Sequence, residues 1–180
     1  MARRWRRRMR RSVMWCVMAV LMGGMTFGVG AEGDRAVSAS PRVRSSNGLI
    51  ASLLNEASSR SSTFRGLVRT IEQTDGIVYV ESGRCRHGVR ACLSLSISAS
   101  GNYRILRVLV DLATDAMALM ATIGHELRHA LEILTEPTVR STREAYLYYS
   151  REAPTTRDFF ETQAAIQAGL AVERDLAATR

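Results

Sequence analysis

The sequence predicts a small α+β domain in which a short sheet containing antiparallel pairing packs against a buried helix and a C-terminal helix. Three observations lead to this prediction. Three strand-like segments follow one another between residues 77 and 112. A strongly apolar helical segment follows at about residues 114–134, and a second helical segment runs from about 156 to 178. Strands and helices that are segregated along the chain in this way are typical of α+β folds.

Residues 1–31 have the composition of a secretory signal. Residues 1–11 contain seven arginines and no acid, and residues 12–30 carry no charge. Val29-Gly30-Ala31 then has the small-residue form of a cleavage site. We therefore expect an exported protein, periplasmic or secreted, that begins near Glu32. An uncleaved membrane anchor is the alternative, because the apolar run is about as long as a short membrane span.

Removal of this leader changes the charge of the chain. The whole sequence has 25 Lys+Arg and 17 Asp+Glu, and the leader holds seven of the basic residues, which leaves 18 against 17. The remainder has no basic patch that would indicate nucleic-acid binding, and we expect no stable membrane association after cleavage. Residues 32–48 are polar and rich in Ser, Arg and Gly, which predicts a disordered linker. Residues 49–180 then form one domain by length.

The domain begins with two helical segments. Residues 49–57 are amphipathic and predict a short helix. Ser61 or Ser62 can cap a second helix, which ends near Asp75-Gly76.

The strand-like segments combine β-branched and aromatic residues with a two-residue alternation. They are residues 77–81, 91–98 and 103–112. Short connections predict antiparallel pairing of neighbours. The serines of the second segment then face solvent or a bound ligand.

Cys85 and Cys92 are the two cysteines that follow the leader. An exported protein meets an oxidising compartment, where a close pair of thiols forms a bridge. The short stretch between them suits the tip of a hairpin, so we expect a disulfide. The alternative is a metal site shared with His87, but this spacing matches no common zinc pattern.

The segment 114–134 predicts a helix that is buried nearly all round, because its first half is almost entirely apolar. Thr114 can cap the helix and Asp115 favours its N-terminus. Gly124 allows a neighbouring element to approach closely. Pro137 ends the run.

His125-Glu126-Leu127-Arg128-His129 lies inside this helix. Histidines four residues apart share one helical face, about 6 Å apart, and can bind one Zn²⁺ together. Glu126 lies roughly 100° round the helix, beside such a metal, where a general base would act on a zinc-activated water. A buried helix must also satisfy its polar side chains, and a metal does so directly. An ordinary solvated His/Glu/Arg cluster without metal is the alternative.

The last helical segment supplies a further carboxylate. Thr155-x-x-Asp158 has the form of a capping box at the start of this helix. Glu161 lies on one face with Ala165, Ala168 and Val172, which suits close packing against another helix. We therefore expect Glu161 to project from the last helix towards the two histidines.

Gly124-His125-Glu126-Leu127-Arg128-His129-Ala130 resembles the active-site helix of the zincin metallopeptidases. Glu161, a glutamate on a later predicted helix, is similar to the third ligand of the gluzincin branch. The G-H-E-L-x-H-A helix with the later Phe160-Glu161-Thr162-Gln163-Ala164-Ala165 also resembles small exported bacterial proteins of unknown function. The chain departs from larger gluzincins at Ala165, where an acid is usual, and in having no second substrate domain.

The resemblance implies a zincin-like domain that hydrolyses peptide bonds in a peptide or protein substrate. His125, His129 and Glu161 would bind zinc, with a fourth position open. Glu126 would act as general base and then protonate the leaving amine. One of Tyr146, Tyr148 and Tyr149, of which we favour Tyr148, or else Arg128, would stabilise the oxyanion.

Glu132 shares the histidine face but is separated from His125 by about 10 Å of helix rise. We interpret it as an acceptor that orients an imidazole or pairs with arginine, with a role as metal ligand as the alternative. A second hypothesis is an exported module that uses the same ligands for a zinc without turnover. The sequence does not indicate an oligomeric state.

Overall fold

A computed structural model describes residues 40–85, 88–113, 115–152, 155–156 and 159–179. It confirms the α+β class. In chain order the elements are β1 (Val43–Arg44), α1 (Gly48–Arg60), α2 (Ser62–Glu72), β2 (Gly76–Ser82), β3 (Ala91–Ser100), β4 (Tyr103–Val110), α3 (Ala116–Thr135), α4 (Thr142–Glu152), β5 (Thr155–Thr156), β6 (Phe159–Phe160) and α5 (Gln163–Ala178). All belong to one compact unit that spans residues 39–180. The predicted leader lies outside the described residues, as do His87, Thr114 and Asp158.

Helices α1 and α2 begin at side-chain caps. The side chain of Asn47 accepts hydrogen bonds from the amides of Leu49 and Ile50 at the start of α1. Ser61 accepts from the amide of Phe64 at the start of α2, which confirms this cap. Such caps satisfy amides that have no partner inside the helix. Among the described helices, none is long and apolar enough to cross a membrane.

The main sheet has the strand order β1-β2-β4-β3. Strands β3 and β4 are antiparallel, as predicted, but β2 pairs with β4 in parallel. The prediction that β2 and β3 pair with each other is therefore wrong, because β4 lies between them. Every second residue of β4 is buried, so it suits the centre of the sheet, whereas β3 is exposed from Ser98 onwards and lies at an edge.

The edges of this sheet are short or irregular. Strand β1 has two residues and pairs in parallel with β2. It lies inside residues 32–48, so the predicted disordered linker does not extend over Val43 and Arg44. At the opposite edge, the register of β3 against β4 shifts between Ser94 and Ser98.

Helix α3 is the central helix of the core, with buried residues along its length from Leu119 to Leu134. Its N-cap is Asp115 and not the predicted Thr114, because the carboxylate of Asp115 accepts from the amides of Met117 and Ala118. Gly124 confirms the expected close approach: a Cβ at this position would lie 2.8 Å from Val172 Cγ2 on α5. A Cβ at Gly169 would likewise lie 3.2 Å from His125 Cβ. Helix α5 therefore packs directly against the motif face of α3.

Arg104 of β4 binds the C-terminal end of α3. It is buried, with only 2% of its surface exposed, which is unusual for an arginine. Its guanidinium donates two bonds through Nε and one through Nη2 to the carboxylate of Asp75. The other guanidinium hydrogens bind the carbonyl oxygens of Ile133, Leu134, Glu136 and Val139 at 2.7–3.0 Å. These carbonyls include groups at the helix end that have no partner inside the helix. The buried guanidinium of Arg104 therefore caps the C-terminal end of α3 by hydrogen bonding.

The segment after α3 differs from the prediction. Residues 142–152, for which we predicted no element, form α4. The last helix starts at Gln163 rather than near residue 156, and Thr162 caps it rather than Thr155. Thr155–Thr156 and Phe159–Phe160 pair as two short antiparallel strands, because β-branched and aromatic residues favour extended backbone. Glu161 therefore precedes α5 and is not on it.

The disulfide between Cys85 and Cys92 is confirmed, with Cα atoms 5.9 Å apart. It closes the loop between β2 and β3. Replacement of both cysteines by serine should lower the free energy of unfolding by about 2–3 kcal/mol, because the unfolded chain regains the freedom of this loop. Urea denaturation measures this change. Wild-type protein under reducing conditions should match the double variant, and equal stability of all samples would contradict the expectation.

Candidate metal centre

Three predicted ligands come together beside α3. His125 and His129 lie one turn apart, with ring centroids 4.8 Å from each other. Glu161 reaches them from the short segment between β6 and α5, and its Oε2 lies 3.4 Å from His125 Nε2. The ligand atoms of these residues all lie within 4.8 Å of one another. His125, His129 and Glu161 therefore form a group that could hold a metal ion.

The hydrogen bonding of His129 provides a test of whether a metal fits. His129 is 4% exposed, and its Nδ1 lies 3.1 Å from Glu132 Oε2. Because a carboxylate accepts, the neutral imidazole that fits this contact carries its proton on Nδ1 and has a free lone pair on Nε2. Within the described part of the chain, this buried Nε2 has no hydrogen-bond partner. A buried polar atom without a partner is costly, and a metal ion at the group would satisfy it.

His125 is available in the neutral form that binds metals. Burial, followed by the proximity of His129, holds the pKa of His125 below its ordinary value, although Glu161 acts in the opposite direction. A neutral imidazole has a free lone pair for coordination. The lowered pKa therefore favours the ligand form of His125 at neutral pH.

Glu126 is buried next to the three residues but is held apart from them. The Leu93 amide of β3 donates to Glu126 Oε2 at 2.7 Å, while Glu126 Oε1 lies 4.0 Å from His125 Nε2. Burial raises the pKa of Glu126 to about 7, against the opposing effects of His129 and the Leu93 amide. One oxygen is thus anchored by the sheet, and the carboxyl can exchange a proton near neutral pH.

Glu132 is a buried carboxylate with partners on three sides. Besides His129, it accepts a hydrogen bond from Thr162 Oγ1 at 2.8 Å, and Arg128 Nε lies 3.5 Å from its Oε1. Burial acts to raise the pKa of Glu132, but the hydrogen bonds from His129 and Thr162 outweigh it, so the pKa lies below its ordinary value. Glu132 therefore contacts both an imidazole and an arginine, the two alternatives that its position in the helix suggests.

The three residues and Glu126 line one cleft with a volume of about 1280 Å³. The disulfide loop and the first half of β3 form one wall, and α5 forms another through Ile166, Gly169 and Leu170. A cleft of this size accommodates a ligand much larger than a metal ion.

Among the described residues, Tyr149 is the one tyrosine that lines the cleft. It is fully buried, its hydroxyl donates to the carbonyl oxygen of His129 at 2.8 Å, and its ring lies edge-on to the His129 ring. Tyr148 packs against Tyr149, with centroids 5.2 Å apart, and is not among the described residues that line the cleft. The sequence offered Tyr149 as one of three candidate tyrosines, but it could not favour Tyr149 over Tyr148, because α4 was not predicted and the buried face of this segment was unknown.

Sequence reasoning missed Leu93 and Thr162. The Leu93 contact is made by a backbone amide, so any non-proline residue at this position could make it and the sequence does not reveal it. Threonine is a common N-cap residue, and in the structure Thr162 caps α5 by accepting from the amide of Ala165. The sequence did not identify this cap because Thr155, earlier in the chain, also fits the start of a helix.

Comparisons with known proteins do not assign the chain to a family. No protein-family model, no curated protein and no solved structure matches the chain. The similarity to zincins therefore rests on the motif residues, and the structure itself shows a small α+β domain with a group of two histidines and a glutamate that could hold a metal ion.

Proposed function

We propose that this chain is an exported zinc-dependent peptidase. The observation that carries the proposal is the group His125, His129 and Glu161, which lies in an open cleft with Glu126 held beside it. Two imidazoles and one carboxylate are a donor set that zinc prefers, and three protein ligands leave a position for water or substrate, as in catalytic sites.

The roles of the side chains follow from their contacts. A zinc ion at this group would supply a Lewis acid that polarises a peptide carbonyl and lowers the pKa of a water. Glu126 would take the proton from that water through the oxygen that Leu93 leaves free, and would then give it to the leaving amine. Glu132 would hold His129 with Nε2 facing the cleft. We leave Tyr148 and Arg128 out of this proposal, because neither is among the described residues that line the cleft.

Export is supported by two independent features. Residues 1–31 have the charge and hydropathy pattern of a secretory leader. The disulfide between Cys85 and Cys92 is a cross-link of the kind that persists in oxidising compartments.

A zinc module without turnover is the second candidate function. A structural zinc site is usually closed by four protein ligands, whereas the group found among the described residues has three. Glu132, a further carboxylate beside the group, is engaged by His129 and Thr162. The open cleft at the group therefore favours hydrolysis over a purely structural role.

Replacement of Glu126 by glutamine should leave zinc content unchanged and lower peptide hydrolysis by about 100-fold or more, because the amide cannot accept the proton. The measurement is cleavage of a mixed peptide library, with zinc content determined on the same samples by mass spectrometry. Glu72→Gln is the matched control, since Glu72 is exposed at the end of α2, and it should keep full activity.

The outcomes separate the candidate functions. A chelator should abolish cleavage by the wild type, and added zinc should restore it. Equal cleavage by wild type and Glu126→Gln would exclude Glu126 as the base. Zinc bound to both proteins without any product would contradict hydrolysis and favour the binding module.

A further inference from the structure

The two chain segments that carry the candidate ligands meet at one carboxylate. Glu132, 7% exposed, uses its two oxygens for different partners. Oε2 contacts Nδ1 of His129 at 3.1 Å, and Oε1 accepts from the hydroxyl of Thr162 at 2.8 Å. Glu132 therefore connects a histidine of α3 to the residue that directly follows Glu161.

Thr162 uses its hydroxyl both as a donor and as an acceptor in this place. The hydroxyl donates to Glu132, and it accepts from the Ala165 amide at 3.1 Å, which makes Thr162 the N-cap of α5. A hydroxyl has one hydrogen to donate, so the bond to Glu132 fixes its orientation. The start of α5, and with it the backbone next to Glu161, is tied to the carboxylate that holds His129.

We propose that Thr162 is a positioning residue for the metal centre, and that it acts through Glu132 to hold His129 and Glu161 in one arrangement before the metal binds. This inference rests on the metal centre of the proposed function. Outer residues that orient a ligand typically change metal affinity by about 10- to 100-fold when they are removed, because the ligands must then be ordered at the moment of binding.

The contacts explain why the hydroxyl matters beyond its role as a cap. Asn47 caps α1 with its own side chain and, within the described contacts, does not touch the metal group. At Thr162 the same hydroxyl that caps the helix also binds Glu132. Without it, the Oε1 of Glu132 keeps Arg128 as a neighbour at 3.5 Å and is free to turn towards it, away from the arrangement that orients His129.

The test measures zinc affinity of the purified protein by competition with a chelating dye. Thr162→Val removes the hydroxyl and should weaken zinc binding by about 10- to 100-fold. Thr162→Ser restores the hydroxyl and should bind within about threefold of the wild type. Thr162→Gly also removes the hydroxyl, but glycine is an acceptable N-cap that costs only a few tenths of a kcal/mol, so this variant keeps the test valid if the valine variant folds poorly.

Two further measurements separate positioning from stability. Asn47→Ala removes an unrelated cap and should lower the melting temperature without changing zinc affinity. If Thr162 acts through Glu132, the double variant Glu132→Gln/Thr162→Val should bind zinc about as tightly as Glu132→Gln alone, since coupled residues are not additive.

Failure of this inference is distinguishable from failure of the proposed function. A wild-type protein with no affinity for zinc overturns the metal centre and the inference together. Tight binding by the wild type with equal affinity in Thr162→Val and Thr162→Gly overturns the inference alone. Independent, additive losses from Glu132→Gln and Thr162→Val also overturn it.

Discussion

Alanine in place of His129 should lower the affinity of the protein for zinc by about 100- to 1000-fold. Zinc sites with four protein ligands bind with about 10–16 kcal/mol, so each ligand contributes roughly 2.5–4 kcal/mol. The loss should be this large because the buried Nε2 of His129 has no other partner among the described residues. His125→Ala and Glu161→Ala should have effects of the same kind. Zinc titration against a competing chelator measures all three.

The matched control for Glu161 is Glu173, a carboxylate that lines the same cleft but is outside the group of three. Glu173→Ala should keep the wild-type affinity. If Glu161→Ala kept full affinity, the third ligand would have to be another residue, with Glu132 the first to examine. If the two histidine variants also kept full affinity, the metal centre would be refuted.

Methionine in place of Arg104 should lower the free energy of unfolding by about 3–5 kcal/mol, because buried carbonyl groups would lose their hydrogen-bond donor and each such loss costs about 1–3 kcal/mol. The change removes the cation beside Asp75 and the donors to four carbonyl groups, two in the last turn of α3 and two just after it. Urea denaturation measures the difference. Arg107→Met is the control on the same strand: Arg107 is half-exposed and lies 3.7 Å from Glu81, so its loss should cost less than about 1 kcal/mol.

The pH dependence of stability gives a second check on Arg104. Burial acts to raise the pKa of Asp75, but the hydrogen bonds and charge of Arg104 outweigh it, so the folded pKa lies below the ordinary value of 3.8. A lowered folded pKa means that the contribution to stability is complete above about pH 4 and is lost as the pH falls through the folded pKa. Arg104→Met should show a smaller loss in this acidic range. An Arg104→Met protein as stable as Arg107→Met would contradict the role of Arg104.

Much of α3 could be predicted from sequence because its signals are local. Asp115 indicates the start of the helix and Gly124 indicates that a neighbouring element approaches closely, and both follow from residue type and spacing. The spacing of His125 and His129 places them on one face in any helix. The amino-acid sequence alone therefore indicates the core of the candidate site.

The parts that could not be predicted depend on contacts between distant residues. The parallel pairing of β2 with β4 requires β4 to lie between sequence neighbours, and no local pattern encodes strand order. Glu161 reaches His125 from an extended segment and not from a helix, because Thr162 rather than Thr155 caps α5. The Leu93 amide contributes through its backbone and has no signature in residue type.

The two edges of the main sheet bear on how this protein behaves at high concentration. An open edge presents unpaired amides and carbonyls that can recruit a strand from another molecule and start aggregation. One edge strand, β1, has only two residues, which is too short to template a partner. The other, β3, loses regular register at Ser94–Ser98 and carries exposed serines there, and irregular polar edges of this kind pair poorly with a foreign strand. The short strand at one edge and the irregular strand at the other thus both disfavour edge-to-edge polymerisation of the sheet.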